Sequence, residues 1–159
     1  MAVKTKPKPD TAQLRANEKK WTKTLWDTGW TGIPNVILDQ QRALGLTPTD
    51  LNILLQIAKY WWEAENVPFP SKDTLASAIG VQPRTIQRRV AGLEKKGLIH
   101  RERRKTAAGG DTSNRYVFTG LIEKATPHAE KALREKQKAI AAKKARQRRQ
   151  KPFITLVKK

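Results

Sequence analysis

The sequence predicts a mainly α domain with one small β-hairpin, an α+β arrangement followed by a long basic C-terminal helix or tail. Three observations predict it. Two short helix signals flank a tight turn between residues 71 and 97. Two strand-like runs enclose a glycine-rich tip between 98 and 118. From about Pro127 the chain is rich in Ala, Lys, Arg and Glu, residues of high helix propensity.

The helix pair is punctuated at every end. Ser71 is a good N-cap, with Thr74, Leu75, Ala78 and Ile79 at helical spacing behind it. Gly80 supplies the left-handed residue that ends the first helix. Pro83 stands at the first position of the second, where no N–H is needed. Gly97 closes that helix after Glu94-Lys95-Lys96. At about 100° per residue, Ile86, Val90 and Leu93 share one face and form the buried stripe. Arg84 and Arg88 project from the other side, flanked by Thr85 and Gln87. Arg and Gln pair bidentately with guanine and adenine edges in the major groove. A helix about 83–96, apolar on one face and lined this way on the other, looks like a recognition helix.

After Gly97, residues 98–104 read as a strand, 107–111 as a loop and 114–118 as a returning strand. Arg101, Arg103, Arg104, Lys105 and Arg115 surround the hairpin. Upstream, Thr47-Pro48-Thr49-Asp50 starts a helix expected to run to about Glu63. It carries Leu51, Ile53, Leu54, Leu55, Ile57, Tyr60, Trp61 and Trp62 and is apolar on more than one face. Such a helix is central to the domain or shared with a second subunit, which is the basis for a homodimer. Val67-Pro68-Phe69-Pro70 reads as a short strand pairing with the hairpin.

Helix, turn, helix, the run Leu93-x-x-x-Gly97-Leu98-Ile99 and a basic hairpin containing Ser113-Asn114-Arg115-Tyr116 together resemble a winged helix-turn-helix DNA-binding domain. The type is that of bacterial transcriptional regulators and of plasmid and phage replication proteins. The resemblance covers roughly Gly29 to Thr119 and includes an "Ile-Pro-Asn" lead-in at Ile33-Pro34-Asn35. It implies a double-stranded DNA partner, with Arg84, Thr85, Gln87 and Arg88 on base edges. Ser71, Lys72 and Arg89 are then placed for phosphates, and the wing cations Arg101, Arg103, Arg104, Lys105 and Arg115 for the backbone or the adjacent minor groove.

Composition points the same way. Lys and Arg number 33 against 14 Asp and Glu, a net charge of +19 that calls for a polyanionic partner. The charge is uneven: residues 46–70 carry a net −2, whereas 71–120 carry +7 and 121–159 carry +10. There is no cysteine, so no disulfide framework and no cysteine-based zinc site or nucleophile. No apolar h-region follows Met1-Ala2-Val3-Lys4 and no run is long enough to span a membrane, so a cytoplasmic, nucleoid-associated protein is expected.

The chain divides into a basic N-terminal arm at 1–28, partly helical or disordered, a winged-helix domain at 29–120, and a basic helical tail at 121–159. A helix is plausible from Asp10 to about Leu25, and Trp26 to Asn35 reads as a turn-rich packing arm whose tryptophans can alternatively bury a dimer contact. In the tail, Arg146, Arg148 and Arg149 add phosphate contacts, and 152–157 is an apolar segment able to add a strand to a protein partner. His100 and His128 lack partners at ligand spacing, and there is no phosphate loop, nucleophile motif or carboxylate constellation. No enzyme activity, cofactor, metal or small-molecule ligand is implied. Three roles fit: a transcriptional regulator, a replication initiation protein that binds an origin, and a non-specific architectural or RNA-binding protein.

Overall fold

The computed structural model describes residues 16 and 18–150, apart from 106, 108 and 111, with backbone alone at 149 and 150. Residues 18–21 are helical and the helix is interrupted at Thr22, whose φ is +67°. Helix α1, Lys23–Asp27, follows, with the Thr22 hydroxyl accepting from the Leu25 N–H. The helix expected from Asp10 to Leu25 is thus interrupted, and Trp26 belongs to the second piece rather than to the turn. Trp26 and Trp30 stack on each other, centroids 5.4 Å apart, with Trp30 half exposed. Of the arm expected to pack from Trp26 to Asn35, Ile33 lies against the core, and Val36 just beyond it does too. Pro34 precedes helix α2, Asn35–Asp39, which packs against the C-terminal helix.

Helix α3, Pro48–Ala58, opens on a capping box. The Asp50 N–H donates to the Thr47 hydroxyl at 3.2 Å, and the Thr47 N–H donates to the Asp50 carboxylate at 3.0 Å. Such a cap contributes about 1 kcal/mol. Ile53, Leu54 and Ile57 are fully buried against helices α4, Lys72–Ile79, and α5, Pro83–Lys95.

The expected continuation of α3 to Glu63 does not occur. Tyr60 and Trp61 donate to the carbonyls of Ile57 and Ala58 in tight turns, and the Trp61 ring then stacks on Phe118 at 5.3 Å. Packing onto the wing, rather than helix propensity, decides where α3 stops. The aromatic triplet lies in a turn, so the argument for a homodimer from a multi-faced helix loses its basis. Residues 67–70 form no strand. Their prolines, Pro68 and Pro70, are buried and have no N–H to offer a ladder. A backbone hydrogen bond from the Tyr116 N–H to the Pro68 carbonyl, at 2.9 Å, joins the link to the hairpin.

The turn chemistry between α4 and α5 is as read. Ser71 accepts from the Thr74 N–H at 3.0 Å, Gly80 caps α4 with φ +78°, and Pro83 begins α5. In α4 the buried positions are Leu75 and Ala76, while Thr74 and Ala78 face solvent. In α5, Ile86, Val90 and Leu93 are the buried stripe; each buried apolar side chain contributes about 1.5–3 kcal/mol.

The hairpin is shorter than expected. Strands β1, His100–Glu102, and β2, Arg115–Val117, pair antiparallel in the register His100↔Val117, Arg101↔Tyr116 and Glu102↔Arg115. Leu98 and Ile99 precede β1 as core residues, with Tyr116 and Phe118 beside them.

The C-terminal helix, α6, runs Thr119–Gln150 and therefore starts well before Pro127, which lies inside it. Two buried residues of its first turns, Leu121 and Ala125, explain the early start. Gly120 makes their approach possible: a Cβ there would sit 2.1 Å from the Gly97 carbonyl oxygen. From residue 130 to 148 every residue of α6 is exposed.

Candidate nucleic-acid interface

The exposed face of α5 carries Arg84, Gln87, Arg88, Ala91 and Lys95, a stripe at helical spacing opposite Ile86, Val90 and Leu93. Thr85 lies at its edge, half-buried. Arg84, Gln87 and Arg88 make no hydrogen bond or ion pair among the described residues, so their donors face solvent. The helix beneath is immobilised by its apolar face, which leaves these side chains on a rigid mount without internal partners.

The cations expected on phosphates divide into two groups. Lys72, Arg103, Lys105 and Arg115 are exposed. Ser71 is half-buried and spends its hydroxyl on the α4 cap. Three arginines are turned inward. The Arg89 guanidinium points at Asp50, with Nη1 3.9 Å from the carboxylate. Arg101 donates through Nε and Nη2 to one oxygen of Glu94 at 2.9 and 2.5 Å, and its backbone N–H reaches the other at 3.2 Å. The Arg104 guanidinium lies over the Phe69 ring, 4.0 Å from its centroid.

These last two contacts locate the wing. Arg101 fastens β1 to the last turns of α5, and Arg104 fastens the outgoing chain to the 67–70 link. The Arg101 side chain, by bonding Glu94, holds that carboxyl below its ordinary range; burial opposes the shift. Burial of Tyr116 pushes its phenol above its ordinary value. The opposite charges of Glu102 and Arg115 face each other across the hairpin.

Sequence reasoning missed Asp50, Glu94 and Phe69. Asp50 was visible as the third residue of a capping box, but its second role, as a buried carboxylate facing Arg89 and Lys96, depends on how α5 crosses α3. Glu94 was read only as part of a helix end. Arg146 and Arg148 are exposed on the outer half of α6, and Arg149 lies on the same helix. The apolar segment 152–157 lies outside the described residues, as do residues 1–15.

A helix pair joined by a tight turn, an exposed basic stripe on its second member and a hairpin braced against that helix define a winged helix-turn-helix domain. Residues 44–99 match the family described as a helix-turn-helix domain. Among solved structures the chain is similar to the N-terminal domain of DnaD protein from Geobacillus kaustophilus HTA426, at 21% identity and a TM-score of 0.52 over 77% of this chain and 96% of that one. It is also similar to a possible transcriptional regulator from Methanosarcina mazei Go1, at 23% identity and a TM-score of 0.39 over 66% of this chain and 85% of that one. YusO protein from Bacillus subtilis matches at 16% identity and a TM-score of 0.39, over 90% of this chain and all of the other. No protein of curated function matches the chain. Among the described residues no helix is long and apolar enough to cross a membrane.

Proposed function

We propose that the chain is a sequence-specific double-stranded DNA-binding protein acting in transcriptional regulation. The observation that carries this reading is the stripe of Arg84, Gln87 and Arg88, exposed and unpartnered among the described residues on a helix anchored by Ile86, Val90 and Leu93. In this reading α5 enters the major groove. Arg84 and Arg88 donate to guanine edges and Gln87 to adenine, each good pair contributing about 1–3 kcal/mol of discrimination. Arg103, Lys105 and Arg115 of the wing lie along the neighbouring backbone or minor groove, and Lys72 takes a phosphate at the head of α4. The outer half of α6, with seven basic and no acidic residues from 136 to 150, adds sequence-independent attraction. The protein works by binding, not by catalysis, on the cytoplasmic nucleoid.

The same surface serves an origin-binding replication protein, a role within the range of the sequence resemblance. Selection of duplexes from a random pool, with wild type and with Arg84→Ala/Arg88→Ala, tests the reading. A sharp motif lost in the double variant is the expected result. An inverted repeat then favours an operator and direct repeats an origin array. Enrichment of no motif, with binding that simply weakens as salt rises, would leave only a charge-driven nucleic-acid coat.

A further inference from the structure

Beside the reading stripe, α5 carries a second feature that shares only Arg88 with the proposed base contacts. A cavity of about 390 Å³ opens between α5 and the start of α3, lined by Asp50, Arg88, Arg89, Gly92 and Lys96. Gly92 forms part of its wall. A glycine inside a helix costs about 1 kcal/mol relative to alanine, and here neither backbone nor packing asks for one. Its φ is not positive, and a Cβ built on it meets no atom within 4 Å. What the missing side chain provides is space.

The walls of that space are cationic. Asp50, 2% exposed, lies within 3.9 Å of Arg89 Nη1 and 3.6 Å of Lys96 Nζ, distances longer than hydrogen bonds. Arg89 Nε is buried and makes no hydrogen bond among the described residues. Lys96 is steered by the Gly45 carbonyl at 2.5 Å. Two cations thus face one carboxylate and Arg88 lines the same cavity, which leaves positive charge in surplus with donor capacity to spare.

We propose that this cavity is a seat for a phosphate group. The carboxylate of Asp50 holds Arg89 and Lys96 at its rim, and an entering phosphate completes their hydrogen bonding. Arg88 belongs both to the cavity and to the reading stripe. Residues 88, 89, 92 and 96 centre on a direction roughly 100° around α5 from the stripe, taking about 100° per residue. A helix lying in the major groove turns such a flank toward the groove wall, where the phosphates are. The seat then takes a phosphate of one DNA strand, an inference that rests on the DNA-binding reading.

The test uses the full chain, a duplex, and the variants Lys96→Gln and Gly92→Leu. The leucine fills the cavity without removing a charge and favours the helix, so a loss of folding does not mask the result. For a backbone phosphate, each variant makes the fall of log K with log salt shallower by about one. Any sequence preference of the wild type is kept, and a duplex with one neutral methylphosphonate linkage reproduces the change. For a free phosphorylated ligand, inorganic phosphate raises the melting temperature of the wild type but not of Gly92→Leu, and the DNA salt slope is unmoved. An unchanged slope together with no phosphate-dependent melting overturns the proposal. The slope is readable on any duplex the wild type binds, so failure of sequence selection and failure of the seat are separate outcomes.

Discussion

The recognition helix and the wing both present arginines, yet they hold them by different means. Helix α5 is fixed by hydrocarbon: Ile86, Val90 and Leu93 are 0–2% exposed, and Arg84 and Arg88 are left without internal partners among the described residues. The three-residue strands of the wing are too short to fix themselves. Besides the apolar packing of Tyr116 and Phe118, the wing commits Arg101 to Glu94 and Arg104 to Phe69. An element anchored by burial keeps its charges available for a ligand, whereas one anchored by polar contacts uses some of them as fasteners.

The largest effect that sharpens this contrast comes from the glycine contact from which α6 leaves the end of α5. Gly120→Ala places a methyl against the Gly97 carbonyl, and the fold should lose about 3 kcal/mol by overpacking, measured in urea unfolding. Next is the fastener. Glu94→Arg should detach β1 and cost about 1.5–3 kcal/mol, the value of hydrogen bonds to a charged group. The swap Glu94→Arg/Arg101→Glu should recover both stability and DNA affinity. If the swap folds normally but binds as weakly as Arg101→Ala, Arg101 touches DNA and the division drawn here is wrong.

A smaller effect separates fastened from free wing cations. Arg103→Ala should leave melting unchanged and lower the salt dependence of DNA binding by about one phosphate. Arg104→Ala should instead lower stability by about 0.5–1 kcal/mol through loss of its contact with Phe69. The smallest is the response to acid. Glu94 titrates below its ordinary value when folded, so its contribution is complete above that ordinary value and is lost as pH falls through the lowered one. Stability across the neutral range should be flat with respect to this group. In acid, Glu94→Gln should show a shallower decline than wild type in thermal melts.

The parts of the fold that the sequence made legible are those decided within a few residues. Thr47-Pro48, Ser71, Gly80, Pro83 and Gly97 each act through their own φ or their own hydroxyl, and each stands where it was expected. The parts that were not legible are decided across the chain. Trp61 leaves the helical path to meet Phe118, and α6 starts early because Leu121 and Ala125 find a core to enter. The interface divides in the same way. Periodicity alone separated Arg84, Gln87 and Arg88 from the buried face. Nothing in the spacing of Glu94, Arg101 and Arg104 distinguished a brace from a contact, because that distinction is made by the fold of the hairpin over α5.

The depth at which α6 is rooted sets a length. Among the described residues Ala125 is the last buried one of the helix, and about 25 residues of helix follow it to Gln150, a contour of roughly 38 Å at 1.5 Å per residue. One turn of duplex measures roughly 34–36 Å. An arm of that span, charged along its outer half, is commensurate with the helical repeat of its ligand. Laid along the DNA, it would widen the protein's footprint by about a full turn, and nuclease protection would register that margin as a zone guarded without regard to sequence.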